Sequence, residues 1–237
     1  MNKSFLPLVL LAILASSSTS SADLSTGVTY NTGYNGGSPD TSPGPGLPAP
    51  DNNFTLSFDG SMTTTVPVVA SPIPTQWNQI SGASFISPTE DQTYNPPTDE
   101  QGDAAGTYDY VAYLDTNFMG PSTSVTVSGA FEADDSATFT LDGNLIATTQ
   151  DSYSQPTYFS VTVPVTNTRA KVDFQVTNGV DPSSSINPTG LIVGDLTFTQ
   201  DGGDAPTPEP GTWLLLLAGL GSLVFLQRFF GLGRSKI

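Results

Sequence analysis

From Tyr108 to Phe198 apolar residues recur at every second position, and this period constrains the chain more than any other feature. Val111 and Tyr113, then Val125 and Val127, then Ala137, Phe139 and Leu141 each alternate with small polar residues. That is the pattern of strands with one face in a core and one in water. Asp142-Gly143-Asn144 supplies a tight turn before Leu145 and Ile146, with Gly143 free to take a positive φ. Phe159, Val161, Val163 and Val165 share a face, as do Val172, Phe174 and Val176, which leaves Lys171, Asp173 and Gln175 toward water. Ile192, Leu196 and Phe198 close the set, with Gly194 marking a bulge. Upstream, Phe54, Leu56 and Phe58 alternate in the same way. No helical period occurs between the two ends, so residues 51–200 are predicted to form an all-β, jelly-roll-like β-sandwich.

Within that span the stretch 71–106 is the least regular. Pro72, Pro74, Pro88, Pro96 and Pro97 restrict it to loops around one or two short strands, while Trp77, Ile80, Phe85 and Ile86 could plug a core edge. Residues 23–50 form a polar segment with one edge strand, and 36–50 within it are rich in Pro and Gly.

Charge and residue types narrow the function. Between Asp23 and Pro206 there are 21 acidic residues and two basic ones, Arg169 and Lys171. Such a surface excludes ordinary nucleic-acid binding, which needs cations to displace counterions from phosphates. It suits solubility outside the cell. Calcium could bind through carboxylates and carbonyls, but no segment has the spaced acids of an EF-hand or a glycine-rich repeat, so no metal site is assigned and no other cofactor is implied. The chain has no His and no Cys. Ser-His-Asp and Cys-His catalysis, imidazole or thiolate zinc sites and disulfides are therefore absent. The chemistries that remain are a carboxylate pair, as in glycoside hydrolysis, or a Ser-Lys arrangement on Lys171.

The ends carry targeting signals. Lys3, the apolar run Phe5 to Ala15 and the small residues Ser20-Ser21-Ala22 read as a signal peptide over 1–22, with a mature start near Asp23 and no cysteine for a lipid anchor. At the other end a Gly, Pro and Asp rich linker, 201–212, precedes the uncharged run Trp213 to Leu226. Carried on to Gly231, with Arg228 snorkelling, this run reaches the roughly 20 residues that a transmembrane helix needs. The expected helix is 213–231, followed by the basic tail 232–237. Arg228, Arg234 and Lys236 flank it on the cytoplasmic side and the acidic body lies on the other.

Pro208-Glu209-Pro210, then Gly211-Thr212-Trp213, a Leu-rich span and a basic end together resemble the PEP-CTERM sorting signal of bacterial exported proteins. The resemblance implies recognition by a membrane-embedded sorting protease of the exosortase type. It also implies transient anchoring in the inner membrane and a final location in the cell envelope or outside it. The tail departs from the pattern in carrying a Phe-Phe pair and spread basic residues where a compact Arg run is usual.

The phrases YDYVAYLDTNF, PSTSVTVSGAFEADDSATFTLDGNLI, VDFQVTN and PTGLIVGDLTF are similar to jelly-roll domains related to galactose-binding-like modules. That similarity draws attention to Asp134 and Asp135, which could ligate calcium or a sugar hydroxyl. A pair of Asp residues before a strand more often makes side-chain to backbone turn bonds, and this is the reading we adopt. Trp77, Tyr153 and Tyr158 could stack on a sugar ring if exposed, and core packing is the alternative we favour. The expectation is a non-enzymatic envelope or exopolysaccharide-matrix protein with no catalytic residue. The alternatives are a secreted carbohydrate-binding module with extracellular polysaccharide as partner or a carboxylate-dependent glycosidase.

Overall fold

A computed structural model describes residues 23–201 except 36–37, 41–46, 96–98, 101, 117–122, 151–154 and 180–185. The segment expected as a signal peptide, Tyr153, Pro208, Glu209, Pro210, the segment expected as a transmembrane helix and Arg228, Arg234 and Lys236 all lie outside the described residues. Among the described residues there is no helix, and so none long and apolar enough to cross a membrane.

The strands in chain order are β1 (Thr29–Tyr30), β2 (Tyr34–Asn35), β3 (Ser38–Pro39), β4 (Thr55–Phe58), β5 (Val68–Val69), β6 (Ile86–Ser87), β7 (Tyr94–Asn95), β8 (Asp99–Glu100) and β9 (Asp103–Ala104). The longer ones follow: β10 (Gly106–Asp115), β11 (Thr123–Asp134), β12 (Ser136–Leu141), β13 (Asn144–Gln150), β14 (Thr157–Val165), β15 (Arg169–Asn178), β16 (Ile186–Asn187) and β17 (Gly190–Asp201). They form two packed sheets, the expected all-β sandwich. One sheet runs β14-β11-β17-β6-β5, with β1 also paired to β17, and the other runs β13-β12-β15-β10-β4. Three two-stranded ribbons, β2-β3, β7-β8 and β9-β16, sit beside them.

Alternation decides which face of each strand goes inward. In β15, Ala170, Val172, Phe174 and Val176 are buried, and Arg169, Lys171 and Gln175 are exposed, as the pattern predicts. In β14, Phe159, Val163 and Val165 are buried. β10 is one residue out of phase with the reading from sequence: Tyr108, Tyr110, Ala112 and Leu114 face the core, and Val111 and Tyr113 lie on the other face. The outward set also holds Asp109 and Asp115, which disfavours burying it, and pairing agrees, because Tyr110 sits opposite the buried Phe174 and Tyr113 opposite the exposed Lys171. Tyr113 instead carries the Arg169 guanidinium 4.0 Å above its ring.

Phenylalanines fill the centre. Phe139 stacks on Phe174 with centroids 4.1 Å apart, and Phe131 meets Phe139, Phe159 and Phe174 edge-on. These contacts join β11 and β14 of one sheet to β12 and β15 of the other. The N-terminal segment also joins the sandwich: Leu24 is buried, and its N–H donates to the Tyr113 carbonyl at 2.6 Å.

The chain between β5 and β6 makes an excursion over the outside of the first sheet. A bulge between Ser128 and Ala130 of β11, as paired to β17, turns Ile192 to that outer side. There Ile192 forms a second cluster with Ala70, Trp77 and Phe85, backed by Ile73, Ile80 and Ala83. Gly190 and Gly194 on β17 make room for it. A Cβ on Gly190 would lie 3.0 Å from the Trp77 ring, and one on Gly194 only 2.3 Å from Ile80. Among its described residues the stretch 71–106 holds loops and four two-residue strands, β6 to β9, where one or two were expected; Trp77, Ile80 and Phe85 cover a sheet from outside, and of that group only Ile86 enters the main core.

Candidate functional site

Under the excursion lie two carboxylates. Ala130, Glu132 and Asp134 share the outer side of β11, opposite Gly194, Ile192 and Gly190 of β17. The Trp77 indole N–H donates to Asp134 Oδ2 at 2.8 Å, and the Asn78 amide donates to Glu132 Oε1 at 3.4 Å. Glu132 is 0% exposed, and its Oε2 has no hydrogen-bond partner. Desolvation raises its pKa from the ordinary 4.5 to about 7, against the smaller lowering effect of Asn78. No residue of the excursion from Ser71 to Phe85 is ionisable, so nothing there offers a countercharge.

Asp135 makes the β11-to-β12 turn. Its Oδ2 accepts the Gly179 N–H at 2.6 Å, and its own N–H donates to the Thr177 carbonyl at 3.1 Å. Asp135 thus makes a side-chain to backbone bond, but to Gly179 of the neighbouring segment, while the Asp134 side chain accepts from the Trp77 indole in place of the turn bond expected of it. Beside them a polar network closes one end of the sandwich. The buried Gln92 donates to Asp103 Oδ2 at 2.8 Å and accepts from the Thr189 N–H at 2.9 Å, and the Thr189 hydroxyl donates to the Asp134 carbonyl at 3.0 Å.

A second buried acid, Asp51, shapes the N-terminal turns. Its two oxygens accept N–H groups from Gly33 and Asn53, each at 2.8 Å. Burial is the largest influence on it and lifts its pKa to about 6, opposed by those two bonds and helped by the neighbouring Asp40. Neither Glu132 nor Asp51 was singled out from sequence. For Asp51 the signal was present: Asp51-Asn52-Asn53 after a Pro/Gly run is Asx-turn chemistry. For Glu132 alternation pointed to water, and only the excursion overhead reverses that.

The other candidates separate in space. Trp77 is 4% exposed and packs on Phe85 with centroids 4.5 Å apart, whereas Tyr158 is 79% exposed on the outer side of β14, contrary to the core packing favoured from sequence. Lys171 Nζ lies 2.6 Å from Asp173 Oδ2, an ion pair on an outward face whose cross-strand neighbours are Tyr113, Val111 and Thr140, none of them a serine. Among the described residues no three acidic side chains gather as a metal site. A cavity of about 270 Å³ between the excursion and β17 is lined by Ala70, Ile73, Gln79, Ser84, Phe85 and Ile192 among others, with no acid or base in its wall. A glycosidase needs two carboxyl groups facing one cleft. Glu132 and Asp134 sit side by side on one strand, buried away from this cavity.

Comparison with known proteins gives two kinds of likeness. No curated protein matches the chain. Among solved structures, the chain is similar to CBM35 from Cellvibrio japonicus Abf62, with 11% identity and a TM-score of 0.29, covering 64% of this chain and 90% of that one. It is also similar to a family 35 carbohydrate binding module from an environmental isolate, with 14% identity and a TM-score of 0.28, covering 65% and 98%. Both scores are low, and no residue or ligand of those modules is transferred to this chain. The sequence comparison is of another kind, because residues 206–234 match the model of the PEP-CTERM protein-sorting motif, a stretch that includes Pro208-Glu209-Pro210 and the Leu-rich run. The chain is an exported β-sandwich protein that carries a PEP-CTERM protein-sorting motif at its C-terminal end.

Proposed function

We propose that this is a non-catalytic body delivered to the cell envelope or the exopolysaccharide matrix. An exosortase-type protease would recognise Pro208-Glu209-Pro210 while the segment 213–231 holds the chain transiently in the inner membrane. The match of residues 206–234 to the sorting motif is the observation that carries this reading. A rigid Pro-Glu-Pro segment is extended by construction, and proteases bind extended backbone. The basic side chains Arg228, Arg234 and Lys236 would retain the tail on the cytoplasmic side.

The non-catalytic part of the reading rests on where the acids go. Asp51, Asp134 and Asp135 accept hydrogen bonds from the surrounding fold, and Glu132 is sealed beneath the excursion. With no His or Cys in the chain, a general base would have to be a carboxylate or Lys171, and Lys171 is paired with Asp173. The test is replacement of Pro208, Glu209 and Pro210 by Ala, followed by fractionation of producing cells. The variant is expected to accumulate in the membrane with its tail attached, while the parent protein leaves it. Equal release of both proteins would overturn the proposal.

A further inference from the structure

The bulge in β17 divides the outer side of the first sheet into two halves of different chemistry. One half, around Ile192, is covered by the excursion, whose apolar side chains seal Glu132 and Asp134 beneath it. The other is open and made of hydroxyls in register. Thr29, Thr197, Ser128 and Ser160 form one row across β1, β17, β11 and β14, and Thr199, Thr126 and Thr162 form the next. Thr29, Ser160, Thr162 and Thr199 are exposed, and Thr126, Ser128 and Thr197 are half-buried. Tyr158 stands on the same side, two residues from Ser160, at the border with the covered half.

We propose that this hydroxyl face, with Tyr158 at its edge, is the surface that binds a neutral polysaccharide. The inference rests on the reading of the chain as an exported non-catalytic body and names what that body contacts. Three observations support it. Charge comes first, since none of these seven hydroxyl residues is ionisable although the body carries a large negative excess. The cations Arg169 and Lys171 are on the opposite sheet, paired with Asp23 and Asp173. The next row holds Asp201 opposite Ser124, so the ionisable group bordering the hydroxyl rows is an acid: a neutral polyol can lie on the hydroxyls, whereas an anionic polymer meets net repulsion. Geometry is second. Adjacent strands are about 4.8 Å apart, close to the length of one sugar residue in an extended chain, so a glycan lying across the strands would meet a fresh hydroxyl at each. The third is bonding capacity. Thr126 pairs with Thr162 at 2.6 Å and Ser128 with Thr197 at 2.8 Å between hydroxyl oxygens, and the exposed Thr29, Ser160 and Thr199 add hydroxyls, each able to donate or to accept. Tyr158 supplies the apolar plate on which a sugar's C–H face stacks.

The test is depletion of the full-length protein onto microcrystalline cellulose and retardation in gels containing soluble mannan, with polygalacturonate as the anionic comparison. Tyr158 is so exposed that Y158A leaves the fold intact, and Thr126→Val with Thr162→Val removes hydroxyls while keeping shape. Binding to a neutral glycan is expected, weakened about fivefold by Y158A, weakened by the double Val variant and unchanged by Thr138→Val on the opposite sheet. Absence of binding to both neutral glycans overturns the proposal. So does binding that all these variants retain, preference for polygalacturonate, or a dimer of the chain that Y158A dissolves. None of these results depends on sorting, so loss of this proposal leaves the membrane-fraction experiment to decide the other.

Discussion

Replacing Glu132 by Gln should stabilise the protein at neutral and alkaline pH and do little in acid. Glu132 titrates near its ordinary 4.5 once the chain unfolds and near 7 in the fold, because water is excluded from Oε2. Between those two values the native state holds more protons than the unfolded state, so stability falls as pH rises through the window. Each tenfold change in proton affinity is worth about 1.4 kcal/mol, so the full effect between pH 4 and pH 8 is about 3 kcal/mol, and relaxation of the excursion would reduce it. Glutamine keeps the shape and an oxygen for Asn78 but cannot ionise. Asp51 and Asp40 are also raised, yet they are present in both proteins and lie in a different part of the fold, so their effects cancel in the comparison. Urea denaturation of parent and E132Q at intervals from pH 4 to pH 9 measures the difference. The two stabilities should converge at pH 4 and separate progressively up to about pH 8. A gap that stays constant across the range would mean that Glu132 ionises as it would in water and that the excursion does not seal it.

Three further outcomes follow from the packing. Phe139→Ala removes the ring that stacks on Phe174 and should cost about 3–5 kcal/mol, measured by chemical denaturation. Gly143→Ala meets no steric obstacle but must hold φ near +80° in the β12-β13 turn, so a loss of about 1 kcal/mol is expected with the fold unchanged. Asp135→Ala leaves the Gly179 N–H without its acceptor and should cost about 1–2 kcal/mol, with faster hydrogen exchange at Gly179 as the local readout.

Much of the sandwich was legible because strand alternation was unambiguous where one face was polar. In β15 the Lys171, Asp173 and Gln175 series could only point to water, and β14 behaved the same way. In β10 Val111 and Tyr113 drew the reading to the wrong face, although Asp109 and Asp115 share that face and point it to water, as the pairing of Tyr110 with Phe174 confirms. The bulge near Gly194 was legible as a glycine in a strand. Its consequence was not: it turns Ile192 outward, where an aperiodic, proline-broken segment covers it. The same cover buries Glu132, a residue that alternation placed in solvent. The open half of that face escaped notice for the opposite reason, since isolated Thr and Ser residues on four strands become a surface only when register sets them side by side.

We infer that this sandwich is exported and then parted from its C-terminal sorting signal. Intact-mass measurement of the native protein recovered outside the cytoplasm tests it most directly. The expected species begins near Asp23, ends near Pro208-Glu209-Pro210 and lacks the apolar run from Trp213. An extracytoplasmic protein whose mass still includes residues 213–237, or a full-length chain confined to the cytoplasm, would contradict it.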